Sequence, residues 1–173
     1  MGSQRRPATE AEAKALASGV RLRIIRLCLD VPLTNKEIAS RLGANPATTL
    51  HHVRTLVATG FLVPQEERRG ARGSREVPYR STGKSWTLDV QDAMGGYCVA
   101  NRAMLDAFHE ELALVDLGGV DFARLGVRLT EEERDELSRR FSALLNEYVE
   151  RGPTPGGRPY SIFLAIYADV SRP

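Results

Sequence analysis

One face of a predicted helix between residues 46 and 58 carries side chains that can hydrogen-bond to bases or phosphates. At about 100° of rotation per residue, Ala47, Thr48, His51, His52 and Thr55 fall on the same side of this helix. Threonine and histidine offer donors and acceptors to base edges, and the threonine methyl group suits thymine. The alternative is a solvent-facing helix surface with no binding role.

A short loop beyond this helix is rich in arginine and glycine. Arg68, Arg69, Arg72 and Arg75 lie between residues 66 and 76, where two strands are predicted to turn. Guanidinium groups at the tip of a hairpin suit DNA phosphates or a narrow minor groove. A solvated turn without a partner is the alternative interpretation of this loop.

The elements that must position these residues carry their own start and stop signals. Thr34 and Glu37 form a capping box at the start of one helix, and Gly43 can close it in the left-handed conformation. Asn45 caps the next helix and Pro46 fits its first turn. The inward face of this second helix is apolar: Leu50, Val53, Leu56 and Val57.

Helical spacing and strand alternation predict the elements on either side. Residues 10–29 read as helix with a potential break at Gly19, and Gly60 ends the helix that starts at Pro46. Residues 61–63 begin a strand, and Val77 and Tyr79 alternate in a second one. The chain therefore predicts helix, helix, helix and a two-stranded hairpin with the arginine-rich turn at its tip.

This order of elements resembles the winged helix-turn-helix regulators of the ArsR superfamily. Three spaced stretches carry the resemblance, namely residues 17–25, residues 45–56 and residues 60–63, and it covers roughly residues 10–85. It implies a recognition helix over 46–58 that places Ala47, Thr48 and His51 near base edges in a major groove. The implied DNA-binding set comprises Asn45, Ala47, Thr48, Thr49, His51, His52, Arg54, Thr55, Arg68, Arg69, Arg72 and Arg75.

The metal sites of that superfamily are not matched here. Its sensors carry a thiolate pair in the helix before the recognition helix, where this chain reads TNKEIASRLG without cysteine or histidine. A second family site uses aspartate and histidine on a C-terminal helix, and Asp106, His109 and Glu110 could resemble only part of it. We therefore expect no metal and no cofactor.

Composition and motifs argue against an enzyme or an exported protein. No phosphate-binding glycine loop, nucleophile elbow or His-Glu-x-x-His motif occurs. The first residues lack the apolar stretch of a secretory signal, and the longest apolar run, Ile162–Ala168, is too short to span a bilayer. Cys28 and Cys98 read as small buried hydrophobic residues. We expect a cytoplasmic protein without a membrane partner.

Charge divides the chain into a basic and an acidic half. Residues 1–85 hold 15 Lys/Arg and 7 Asp/Glu, a formal charge of +8, whereas residues 86–173 hold 9 Lys/Arg and 15 Asp/Glu, a charge of −6. A basic half suits a polyanion. Chance distribution of surface charge is the alternative.

The second half is predicted to contain a long helix over Asp89–Leu114 and then a strand–helix–strand unit. The strands are Phe122–Leu129 and Tyr160–Ala168, and a capping box of Thr130 and Glu133 opens the helix between them. Five residues should form the inward face of the long helix: Val99, Met104, Leu105, Phe108 and Leu112. A small apolar effector could bind near Trp86 and Tyr97, although plain core packing explains these aromatics equally.

The sequence therefore predicts an α+β, mostly α, fold in two domains. Residues 1–88 form a winged helix-turn-helix that binds double-stranded DNA, and residues 89–173 serve dimerisation and effector sensing. The expected function is a homodimeric transcriptional repressor. Two other hypotheses stay open: a winged-helix module that binds an acidic protein instead of DNA, and an enzyme with a winged-helix appendage.

Overall fold

A computed structural model describes residues 5–70, 73–90 and 98–172, except for the side chain of Cys98. The chain forms two compact units, one up to Leu114 and the other from Val115 onward. Helices predominate and the sheets are small, as the predicted α+β, mostly α, fold class requires.

Two short helices open the first unit. α1 covers Glu10–Leu16 and α2 covers Gly19–Leu27, so the predicted break at Gly19 is confirmed. Thr9 and Glu12 form a capping box at the start of α1. The Arg21 guanidinium donates to the carbonyls of Ala15 and Lys14 at the end of α1, which fixes the turn between the two helices.

The helix-turn-helix pair follows the predicted signals. α3 covers Asn35–Leu42 and α4 covers Pro46–Ala58. The capping box of Thr34 and Glu37 is present, and Gly43 closes α3 in the left-handed conformation with φ of 63°. Because a side chain at that φ strains the backbone, glycine favours a sharp stop and a tight connection to α4.

A small antiparallel sheet forms the wing. Its strands are β2 (Leu33–Thr34), β3 (Leu62–Pro64) and β6 (Pro78–Ser81), with β6 in the centre. The hairpin between β3 and β6 extends into β4 (Arg68–Arg69) and β5 (Arg75–Glu76). The predicted hairpin around the arginine-rich turn is thus confirmed. β1 (Arg6–Pro7) and β7 (Leu88–Asp89) pair in parallel beside it.

One apolar core joins helices α1 to α4 to the sheet. Phe61, at the start of the wing, is 1% exposed and packs with Ile24, Ile38, Val53 and Leu56, which are all fully buried. Each helix contributes one stripe to this core, which is why the outer faces of α3 and α4 remain free. Cys28 is also fully buried, as predicted, and burial raises the pKa of its thiol to about 11.

The helix predicted over Asp89–Leu114 begins later than expected. α5 covers Cys98–Leu112, and Leu88–Asp89 forms β7 instead. The backbone of Leu88–Asp89 pairs with strand β1 instead of forming a helical turn. Helical periodicity in the sequence does not reveal such a long-range pairing. Residues 91–97, which include Gly95 and Gly96, lie outside the described residues.

The face of α5 that packs on the winged helix also differs from the prediction. Ala103 and Ala107 are buried, whereas Val99 and Met104, expected inside, are 44% and 43% exposed. A β-carbon on Gly19 would lie 3.4 Å from the Ala103 carbonyl oxygen and the Ala107 amide nitrogen. Small residues on both helices allow this close approach. The other predicted inward residues are partly buried: Leu105, Phe108 and Leu112.

The second unit contains the predicted helix but not the predicted strands. α6 covers Glu131–Arg151 and starts with the capping box of Thr130 and Glu133. The segments Phe122–Leu129 and Tyr160–Ala168 form no strand, so both strands of the predicted strand–helix–strand unit are wrong. Their apolar pattern indicates a need for burial, but a strand also needs a neighbour that offers hydrogen bonds in register. No described helix is long and apolar enough to cross a membrane.

Candidate nucleic-acid interface

α4 is held by caps and by its buried face. Its N-cap, Asn45, accepts a hydrogen bond from the Ala47 amide at 2.8 Å, and Pro46 occupies the first helical position. Asn35 on α3 donates to the Pro46 carbonyl at 2.9 Å. The start of α4 is therefore tied to α3, which fixes the direction in which its outer face points.

The outer face of α4 presents four exposed residues in a helical stripe: Ala47, Thr48, His51 and Arg54. The Thr48 hydroxyl and the His51 ring make no hydrogen bond within the described part of the chain. Their donors and acceptors are therefore available to a partner. Since this stripe begins at the helix N-terminus, its first residues would reach deepest into a groove.

Two threonines of the predicted DNA-binding set donate hydrogen bonds within the protein. Thr49 is 1% exposed and donates from its hydroxyl to the Asn45 carbonyl at 3.0 Å, so its assignment to DNA contact was wrong. Its position, 100° from Thr48 on the helix, places it on the stripe shared with Val53. Thr55 is half-buried, and its hydroxyl donates to the His51 carbonyl at 3.1 Å.

His52 differs from its neighbour His51. Its ring is half-buried, its Nδ1 atom is buried without a partner, and its centroid lies 5.9 Å from that of His51. Burial lowers the pKa of His52, and the charge of Arg21 and the neighbouring His51 lower it further. Because His51 is exposed whereas the His52 ring is half-buried, His51 is the better candidate contact.

The wing gathers positive charge at its tip. Arg69 on β4 lies directly opposite Arg75 on β5, and Arg68 lies opposite Glu76. Like charges in opposed positions repel each other. An anion bound between the two guanidinium groups would reduce this repulsion. Arg75 is held only loosely, since the Glu67 carboxylate is 3.6 Å away and the arginine side chain is 86% exposed.

Arg72 lies outside the described residues. Arg68, another predicted arginine of the wing, has an intramolecular partner on α3. Both terminal oxygens of Glu37 accept hydrogen bonds from Arg68, at 2.6 and 2.7 Å. The Glu37 carboxylate also accepts from the Thr34 amide, which is the largest cause of the lowered pKa of Glu37, and Arg68 lowers it further. Sequence reasoning identified Glu37 as a cap but missed this contact, which spans 31 residues.

The two acidic residues considered for a metal site form ion pairs. Glu110 pairs with Arg23 on α2 at 2.7 Å, and Asp106 pairs with Arg102 at 3.1 Å. Across the described ranges, no group of three histidine, cysteine or acidic side chains lies close enough to hold a metal ion. The ion pairs of Glu110 with Arg23 and of Glu111 with Arg26 attach α5 to α2, whereas the pair of Asp106 and Arg102 lies within α5.

The two aromatic residues considered for an effector are placed only in part. Trp86 is half-buried, with the Arg5 guanidinium 4.8 Å from the centre of its ring. Tyr97 lies outside the described residues. The effector hypothesis therefore stays a prediction from the sequence.

A family model matches part of the first unit. Residues 16–65 match the model of a family described as "Helix-turn-helix domain". No curated protein matches the chain. Among solved structures, reduced HlyU from Vibrio cholerae is 23% identical, with 53% of this chain and 77% of that chain covered and a TM-score of 0.35.

A second solved structure is the homodimeric winged helix-turn-helix DNA-binding domain of Mb0332 from Mycobacterium bovis, a possible ArsR-family regulator. It is 24% identical, covers 64% of this chain and 82% of its own, and has a TM-score of 0.33. The family match and the hairpin of β3 and β6 together confirm the predicted winged helix-turn-helix.

Proposed function

We propose that this protein is a sequence-specific DNA-binding regulator of transcription that acts as a homodimeric repressor in the cytoplasm. The observation that carries the proposal is the juxtaposition of two exposed surfaces on one helix-turn-helix domain. One is the polar stripe of α4 with Thr48 and His51, and the other is the arginine-bearing tip of the wing.

These two surfaces suit different parts of a DNA duplex. Thr48 and His51 have the donors and acceptors to distinguish base edges in the major groove. Arg69 and Arg75 have the charge to bind phosphates or the minor groove whatever the sequence. The two contributions should therefore separate, since base contacts affect site preference and phosphate contacts affect affinity for every duplex.

The homodimer is part of the proposal because α5 leaves apolar side chains uncovered. Ala103 and Ala107 face the winged helix, whereas Val99 and Met104 remain largely exposed on the same helix. A second copy of α5 would cover them. In this scheme residues 1–88 bind DNA and residues 89–173 hold the two copies together, so that two α4 helices reach successive major grooves.

Selection of bound duplexes from a random pool, followed by fluorescence anisotropy, tests this function. We expect a near-palindromic site, and a loss of about 1–3 kcal/mol of discrimination for each base contact removed in Thr48→Ala and His51→Ala. Thr49→Val is the matched control, because it removes a buried hydroxyl on the inner face of the same helix and should leave site preference intact.

Two results would count against the proposal. Unchanged site preference in the Thr48 and His51 variants, with helical content preserved, would remove α4 as the reading element. Absence of salt-sensitive binding to any duplex would favour the winged helix as a protein-binding module, with an acidic partner for Arg69 and Arg75.

A further inference from the structure

The helix of the second unit has an apolar stripe that its own chain does not fully bury. α6 contains no fully buried residue over its whole length: Leu137 and Phe141 are half-buried, and Leu144 and Tyr148 are 49% and 60% exposed. Leu137, Phe141, Leu144 and Tyr148 follow one another at spacings of four, three and four residues. This is the repeat by which two helices pack side by side in a coiled coil.

Charged residues flank the stripe in a pattern that depends on helix direction. Arg140 immediately precedes Phe141, and Glu147 immediately precedes Tyr148. These are the two positions beside the stripe that meet across an antiparallel pair of helices. With Phe141 packed on Leu144 of a second copy, each Arg140 faces a Glu147 of the other helix, so the same ion pair forms twice.

A parallel arrangement of two α6 helices lacks this complementarity. Arg140 would then face the apolar Leu145, and the acidic first turns of both helices, Glu131–Glu133, would lie side by side. In the antiparallel arrangement each acidic first turn approaches Arg151 of the second copy. Arg134 also comes close to Arg151 of the second copy in this arrangement. The acidic side chains of the first turn surround Arg134, and Asp135 lies 3.1 Å from it.

We propose that α6 is a self-association element, and that its occupant is α6 of a second copy of this chain in antiparallel orientation. The apolar stripe supplies the affinity, and the Arg140–Glu147 pairs select the direction and register. The inference deepens the homodimer proposed above, because it names a contact by which the second unit would join two copies, and it does not depend on DNA binding.

A charge-exchange experiment on the full-length chain tests the orientation. Sedimentation velocity over a concentration series, without DNA, would measure self-association of Arg140→Glu, Glu147→Arg and the double variant. Each single variant places two like charges opposite each other, so we expect about tenfold weaker association. The double variant restores both pairs and should associate like the original chain. An equimolar mixture of the two single variants should also associate, because their charges complement each other.

Arg139→Glu is the matched control, since it makes the same charge change one residue outside the flanking position. It should leave association unchanged, and circular dichroism should show equal helical content in all variants. Single variants that associate as strongly as the original chain would overturn the proposal. Weakened singles without rescue in the double variant or the mixture would overturn the antiparallel arrangement.

Discussion

Arg68 of the wing lies 2.6 Å from Glu37, the residue that caps α3. One carboxylate thus closes the capping box with Thr34 and anchors the base of the hairpin tip to the helix-turn-helix. The pair is about half exposed, so its contribution to stability is small. If the wing binds DNA as proposed, the consequence of the pair for affinity is larger, because it holds one arginine of the wing on Glu37 and away from the phosphates.

Replacing Glu37 by glutamine should separate the two roles. Glutamine can still close a capping box, so the free energy of unfolding should change by less than about 1 kcal/mol. Freed Arg68 should then contact a phosphate and raise the log–log salt slope of DNA binding by about 0.9. Anisotropy titrations across a salt series would measure it. The gain should vanish in Glu37→Gln combined with Arg68→Ala; an unaltered slope in Glu37→Gln alone would contradict the prediction.

Removing the opposed arginines of the wing should weaken binding to all duplexes alike. Arg69→Ala and Arg75→Ala should each lower the salt slope by about 0.9 while leaving site preference unchanged. Because the two side chains repel each other across the hairpin, the free energy of unfolding should stay equal or rise by a few tenths of a kcal/mol. Arg158→Ala, an exposed arginine of the second unit, is the control. A slope that does not move would identify the tip as a solvated turn.

Acid should destabilise the first unit through Glu12. This buried carboxylate accepts from Arg6 at 2.7 Å, lies 2.6 Å from Lys84, and accepts from the Thr9 amide at 2.8 Å. The Arg6 contact is the main cause that holds its pKa far below the ordinary value, against the opposing effect of burial. A lowered pKa stabilises the fold at pH values above the unfolded value of about 4.3, and this stabilisation is lost as pH falls below it.

Glu12→Gln should therefore cost about 1.5–3 kcal/mol at neutral pH and show a shallower loss of stability below pH of about 4.3. Urea unfolding at several pH values would measure both effects. Glu10→Gln is the matched control, since Glu10 is exposed and its ion-pair partner among the described residues is Lys14 on the same helix. Parallel pH profiles for Glu12→Gln and the original chain would show that Glu12 does not carry this dependence.

The close packing of α2 and α5 should depend on the absence of a large side chain at residue 19. Gly19→Leu would push against the backbone of Ala103 and Ala107 and should destabilise the first unit by about 1–3 kcal/mol. Gly19→Ala should be nearly neutral, because its β-carbon only just reaches contact. Gly119→Leu serves as the control, since nothing lies within 4 Å of a β-carbon there. Equal thermal stability of Gly19→Leu and the control would argue against this contact.

Local signals determined much of the first unit. The capping boxes, the glycine after α3 and the proline in the first turn of α4 depend on interactions within a few residues. They were therefore readable from the sequence by itself, as were the hairpin and the outward stripe with Thr48 and His51. The helix over residues 131–151 followed from the same kind of signal at Thr130.

Tertiary structure decided the features that depend on residues far apart in the chain. Thr49 shares the inward stripe of Val53, and only the structure shows that its polar hydroxyl is buried there because it donates to the Asn45 carbonyl. Arg68 finds Glu37 only once the wing folds back on α3. The close approach of α2 at Gly19 decided which face of α5 is buried. Only small side chains fit there, so Ala103 and Ala107 are buried instead of the larger apolar residues. The apolar segments on either side of α6 formed no sheet, because a hydrophobic pattern specifies burial without specifying the strand that must pair with it.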